Sequence, residues 1–154
     1  GFAIDVPGNW SAQQGQDGAT TIAPAGGAGS FGIAYGAMVG LARTGSTMQL
    51  DSGALLSATR QLVQRYTGDG TLQQAGEIQQ TTVGGQRGYA VELKGQSPVS
   101  DSGRNVGEHD WLVTMARPDG GVGYIVFVSP ERDWSKLRPI FRQMAESFRS
   151  VELQ

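Results

Sequence analysis

Residues 108–130 read EHDWLVTMARPDGGVGYIVFVSP. Two runs rich in β-branched and aromatic residues, 108–116 and 123–129, flank Pro118-Asp119-Gly120-Gly121, whose members supply the fixed or positive φ angles of a tight turn. The stretch therefore predicts a β-hairpin. In Trp111-Leu112-Val113-Thr114-Met115 and Tyr124-Ile125-Val126-Phe127-Val128 both alternating sets of side chains are largely apolar, which places the two strands in mid-sheet with cover on each side. Helices must provide that cover.

Two segments have the pattern for it. Asp51 can cap a helix whose apolar positions, Leu55, Leu56, Thr59, Leu62, Val63 and Tyr66, recur at helical spacing, with Gly68 expected as a left-handed stop. From Asp133 a second stripe runs through Leu137, Ile140, Phe141, Met144 and Phe148, and Pro139 either opens this helix after a short turn or kinks it. Between the first helix and the hairpin, 72–83 and 86–94 are extended runs joined by Gly84-Gly85, a dipeptide suited to a two-residue hairpin turn. Residues 95–107, with Ser, Pro, Asp, Gly and Asn and no periodicity, read as a loop. Nearer the N-terminus 2–6, 19–24 and 31–42 are strand candidates, Pro7-Gly8 ends the first, and Trp10 is expected to anchor the core. The predicted fold class is α+β, an antiparallel sheet of about six or seven strands flanked by helices, rather than a parallel doubly wound sheet.

Composition narrows the function. The 154 residues are 38% hydrophobic and 17% charged, and no apolar run approaches bilayer-spanning length, so no membrane span is expected. Twelve Lys and Arg against fourteen Asp and Glu give a net charge of -2 without basic clusters, which disfavours nucleic acid as a partner. Cysteine is absent, and with it disulfides, thiolate nucleophiles and Cys-ligated zinc. The sequence starts at Gly1 without Met, and a single domain over 1–154 excised from a longer chain is expected.

Three features invite a chemical reading. Gly27, Gly29 and Gly32 stand in dinucleotide-loop spacing with Asp51 downstream, but such a loop works by leading into a helix whose N-terminal amides meet the pyrophosphate. Phe31, Ile33 and Tyr35 predict a strand there instead, so no nucleotide and no cofactor is expected. Glu108, His109 and Asp110 hold the only histidine; alternation turns Glu108 and Asp110 to one face and His109 to the other, too few convergent ligands for a metal. No G-x-S-x-G elbow presents a serine to His109, and no catalytic residue is assigned, although a hydrolase centred on these three remains an alternative. Gly32, Gly36 and Gly40 recur on one side of the third strand candidate, permitting close helix packing or a shallow groove for a small ligand or a partner.

Phe2-Ala3-Ile4-Asp5-Val6-Pro7-Gly8-Asn9-Trp10 resembles the F-x-[IV]-x-[VL]-P-x-x-W start of Mog/PsbP-like domains, small α/β/α sandwich modules, and Tyr124 to Pro130 with Asp133, Trp134, Phe141, Met144 and Ser147-Phe148 resembles their closing strand and helix. Tyr35-Gly36, Leu50, Gly85, Ser97-Pro98, Glu108, Asp110 to Thr114, Arg117-Pro118 and Ser129 to Asp133 look like the C-terminal domain of bacterial TPR-containing zinc metallopeptidases of the HtpX/BepA-like group. Their H-E-x-x-H signature is absent. The resemblance implies a non-catalytic accessory domain in the periplasm or cell envelope, with a protein, or other domains of the parent chain, as partner.

Overall fold

The computed structural model describes residues 2–15, 18–29, 32–101 and 104–150. Its strands are β1 (Phe2–Ala3), β2 (Trp10–Gln14), β3 (Thr20–Pro24), β4 (Ala28–Gly29), β5 (Gly32–Ile33), β6 (Gly36–Ala42), β7 (Leu72–Gln74), β8 (Gln79–Val83), β9 (Gln86–Asp101), β10 (Arg104–Ala116), β11 (Val122–Pro130) and β12 (Arg149–Ser150). The helix α1 (Ser52–Thr67) separates β6 from β7, and a 3-10 turn at Glu131–Asp133 leads from β11 into α2 (Trp134–Ser147).

Eight strands make one antiparallel sheet in the order β2-β3-β6-β11-β10-β9-β7, with β8 pairing further along the same edge of β9. The hairpin of β10 and β11 lies in its middle, as its two apolar faces require. Even-numbered residues of these strands, Leu112, Val122, Tyr124, Val126 and Val128, pack with Leu55, Leu62 and Val63 of α1. Odd-numbered ones, Val113, Met115, Ile125 and Phe127, pack with Leu137, Phe141 and Met144 of α2. Phe127 and Phe141 are fully buried and their rings stack at 4.9 Å; each such side chain contributes on the order of 1.5–3 kcal/mol by leaving water. The result is the expected α+β fold, with eight strands in the main sheet.

Local chemistry fixes the helices. Ala54 N–H donates to Asp51 Oδ1 at 2.8 Å, the capping bond that the sequence predicts. Thr59 Oγ1 donates to the Leu55 carbonyl or shares its proton with Thr114 Oγ1 at 2.7 Å, a buried hydroxyl pair that pins α1 to β10. Gly68 is not the left-handed stop: it stays right-handed (φ -66°), Thr67 Oγ1 satisfies the Val63 carbonyl, and the positive φ falls at Gly70. Pro139 lies inside α2, because the 3-10 turn brings the helix start back to Trp134. No helix among the described residues is long and apolar enough to cross a membrane.

Other departures have equally local causes. Of 2–6 only β1 is extended, and it pairs with β12 outside the main sheet while Phe2 stacks on Phe148. Trp10, the expected anchor, is buried and also opens β2. Residues 31–42 break at Ala34 and Tyr35, and 72–83 breaks between β7 and β8. Of 95–107, expected as a loop, 95–101 and 104–107 are strand, paired as the arms of β9 and β10 with a register shift between Asn105 and Gly107; Ser102 and Gly103 lie outside the described residues. Those arms project past the ends of β7 and β11, which stop opposite Gly95 and Glu108. A two-stranded projection needs no apolar face, so its polar residues carry no periodic signal.

Candidate functional site

The strand β10 carries Glu108, His109 and Asp110, and the sheet register sorts them. His109 stands opposite Lys94 and Ser129, on the face shared with Glu92, Trp111 and α2. Glu108 and Asp110 point to the α1 face, opposite Gly95 and Leu93 on one side and Pro130 and Val128 on the other. The triplet therefore forms two separate sites back to back.

On the α2 face His109 is 3% exposed and its ring stacks on Trp134 with centroids 3.8 Å apart and planes 8° from parallel. Its Nδ1 lies 3.0 Å from Glu131 Oε2 and its Nε2 3.0 Å from Glu92 Oε1, while Lys94 Nζ meets Glu131 Oε1 at 3.4 Å. Three elements converge to make this: β9 supplies Glu92 and Lys94, the 3-10 turn supplies Glu131, and the first residue of α2 supplies Trp134. Both ring nitrogens are occupied by carboxylates. Ser129, the cross-strand hydroxyl neighbour of His109, instead donates to the Pro130 carbonyl at 2.7 Å. A general base must offer a nitrogen to a nucleophile within hydrogen-bond reach, and here the base and the nearest hydroxyl by register are each engaged elsewhere.

On the α1 face Glu108 and Asp110 are 6% and 2% exposed. Burial raises the Asp110 carboxyl to about 10, reinforced by the charge of Glu108 and by the hydrogen bond between them. Burial also raises Glu108, and the hydrogen bond from Asp110 opposes it. The pair is thus a protonated donor, Asp110, beside an acceptor, Glu108. Glu108 Oε1 and Asp110 Oδ1 have no hydrogen-bond partner. Among the described residues no group of three or more His, Asp or Glu converges on a metal-sized space.

The glycine features resolve differently. Gly32 belongs to β5, which pairs with β4, while Gly36 and Gly40 belong to β6, so the three do not form one stripe. A Cβ on Gly40 would collide with the ring of Tyr124, which fills the space above it, and one on Gly36 would fall 2.6 Å from the Ile22 carbonyl oxygen. The expected choice between helix cover and open groove gives way to a third outcome: cross-strand neighbours occupy the room that the missing side chains leave. The dinucleotide-spaced glycines lead into the strand β5, not into a helix; Ser30 and Phe31 between them lie outside the described residues.

Trp134, Glu131, Glu92 and Lys94 were not assigned to a site from sequence. Trp134 stands within the closing motif of the PsbP-like resemblance and Glu131 within that of the metallopeptidase C-terminal domain, but their approach to His109 depends on where the 3-10 turn and α2 begin. Glu92 and Lys94 could be found only through the register of β9 against β10.

This geometry sits on a PsbP-like α+β fold. The chain superposes on the solution structure of cyanobacterial PsbP (CyanoP) from Synechocystis sp. PCC 6803 with a TM-score of 0.67 and 16% identity, over 98% of this chain and 87% of that one. LpqN, involved in cell envelope biogenesis of Mycobacterium tuberculosis, matches with a TM-score of 0.55 and 14% identity over 96% and 81%. A crystal structure from Bacteroides thetaiotaomicron VPI-5482 matches at 0.53 and 8% identity, over 98% of this chain and 45% of that one. At such identities the likeness is one of fold. No protein-family model and no curated protein matches the sequence.

Proposed function

We propose that the chain is a non-catalytic accessory module, occupying 1–154 as a single domain of a larger secreted or cell-envelope protein and serving protein interaction. The observation that carries this reading is the state of His109: buried, stacked on Trp134, and held by carboxylates at both nitrogens. The sheet also divides it from Glu108 and Asp110, so the densest ionisable cluster is used for structure. Likeness of fold to PsbP and LpqN supports an extracytoplasmic setting by analogy. Within this reading a TPR-containing HtpX/BepA-like metallopeptidase is the parent, and other domains of that chain or a protein are the partners, with no nucleotide, nucleic acid or cofactor.

A peptidase, esterase and glycosidase screen of the purified chain tests the central claim, the expected outcome being no turnover. Turnover that disappears in His109→Ala overturns it. The reading frame upstream of Gly1 tests the parentage separately: an export signal followed by H-E-x-x-H is expected, and an independent start immediately before Gly1 overturns that part.

A further inference from the structure

We propose that the free edge of β8 is a docking strand for an extended acidic segment of a protein partner, which adds to the main sheet as a further strand. The inference rests on the accessory-module reading and gives that module its contact surface. Among the described residues β8 pairs within the sheet only with β9. Its hairpin closes through Gly84 and Gly85, both at positive φ, with Val83 opposite Gln86. In a two-residue hairpin that closing pair is hydrogen-bonded and alternate pairs are not, so the backbone groups of Gln80 and Thr82 point outward. The chain bend after β7 limits the edge at one end, and at the other Gly84 N–H is tied to the Ala145 carbonyl of α2 at 3.1 Å. What remains is a short strand with Gln79, Gln80 and Thr82 exposed, Thr81 half-buried, and outward donors and acceptors at Gln80 and Thr82.

Strand addition takes its affinity from backbone pairing and its selectivity from side-chain sites on alternate sides of the edge. Both sides of β8 have such sites. On the α2 side a cleft of 220 Å³ is lined by Trp111, Trp134, Arg138 and Arg142 together with Gln79 and Thr81. On the α1 side a cleft of 510 Å³ contains Arg60 and Gln80, and a neighbouring one of 410 Å³, also lined by Gln80, contains Arg87. Among the described residues none of these four guanidinium groups is paired with a carboxylate. The acids in the same clefts are Asp51, which caps α1, Glu77, and Glu92, which is held by His109. The cations therefore select carboxylates arriving on both faces of an added strand. A second copy pairing β8 to β8 would bring the same arginines toward each other. The other outer strands carry no charge to choose a partner: β7 is Leu72, Gln73 and Gln74, and β2 offers Ser11, Ala12, Gln13 and Gln14 beyond Trp10.

The probe is a fluorescent synthetic peptide, Thr-Glu-Val-Glu-Glu-Val-Glu-Thr, titrated into the isotope-labelled chain by anisotropy and amide NMR. Shifts centred on Gln80, Thr82 and the four arginines are expected. N-methylation of alternate peptide residues, which removes backbone donors without changing the protein, should weaken binding about tenfold or more. Arg138→Glu with Arg142→Glu should weaken it about tenfold, and a Lys-for-Glu peptide should not bind. Absence of binding at millimolar peptide, shifts centred elsewhere, equal binding of the N-methylated peptide, or peptide-free self-association through β8 each overturn the proposal while the accessory reading stands. Cleavage of the peptide, read by mass spectrometry, overturns the accessory reading instead.

Discussion

His109 and its two neighbours on β10 lie one residue apart in sequence and on opposite sides of the sheet in space. All three are buried, yet His109 has a partner for each nitrogen and a ring beneath it, whereas Glu108 and Asp110 have chiefly each other and retain two orphan oxygens. The difference follows from what borders each face. On the α2 side β9 and the 3-10 turn bring half-exposed acids, Glu92 and Glu131, to the rim of the cluster. On the α1 side the cross-strand neighbours are Leu93, Val128, Gly95 and Pro130, none with a side-chain donor. Burial is tolerable for the imidazole because its contacts replace water; for the acids it is tolerable because a proton replaces charge.

The largest effect should come from removing that proton equilibrium. An unfolded Asp ionises near ~4, while folded Asp110 holds its proton to about 10. A folded value above the unfolded one means that the unfolded state releases the proton first. The stabilising contribution is full below the unfolded value and is lost as pH rises through the window up to the folded one. The thermal midpoint should therefore fall between about pH 5 and about pH 9. Asp110→Asn cannot ionise and keeps a donor for Glu108, so it should flatten this profile and be the more stable protein at about pH 8, by several kcal/mol. Parallel profiles for the two proteins would erase the distinction between the faces.

A second pair of variants divides the His109 cluster into its parts. His109→Ala loses the stack and both hydrogen bonds and should cost about 2 kcal/mol by urea unfolding. His109→Phe keeps a ring against Trp134 while Glu92 and Glu131 hydrate at the rim, so it should recover about half of that. Equal losses would mean that the hydrogen bonds, not the stack, hold the α2 start to β10.

These contrasts were partly legible in the sequence. Period-two alternation alone places His109 across the sheet from Glu108 and Asp110, and the doubly apolar runs of β10 and β11 require a helix on each face. The partners were not legible, because Glu92 and Lys94 meet His109 through strand register and Trp134 through the starting residue of α2. Composition misled at 95–107, where two polar arms pair as strands, and at Gly36 and Gly40, whose bareness reads as space until Tyr124 and Ile22 are placed. Propensity reports what a residue prefers; these features depend on which neighbour the fold delivers.

The smallest effect should belong to Lys94, at the outer rim of the His109 cluster. Its ammonium is 3.4 Å from Glu131 Oε1, but the two side chains are 52% and 47% exposed. Water and salt screen such a pair, and ordering two long side chains offsets most of its attraction. Lys94→Ala should therefore change stability by less than ~0.5 kcal/mol, and the difference should vanish at about 1 M salt, where screening reaches within about 3 Å. The comparison with His109→Ala is then informative in either direction. A small loss means that Glu131 is positioned by the buried ring and the 3-10 turn, with Lys94 a bystander. A loss above about 1 kcal/mol that persists in salt means instead that Lys94 sets the carboxylate that sets His109, and that the well-partnered face of β10 is held from its surface inward.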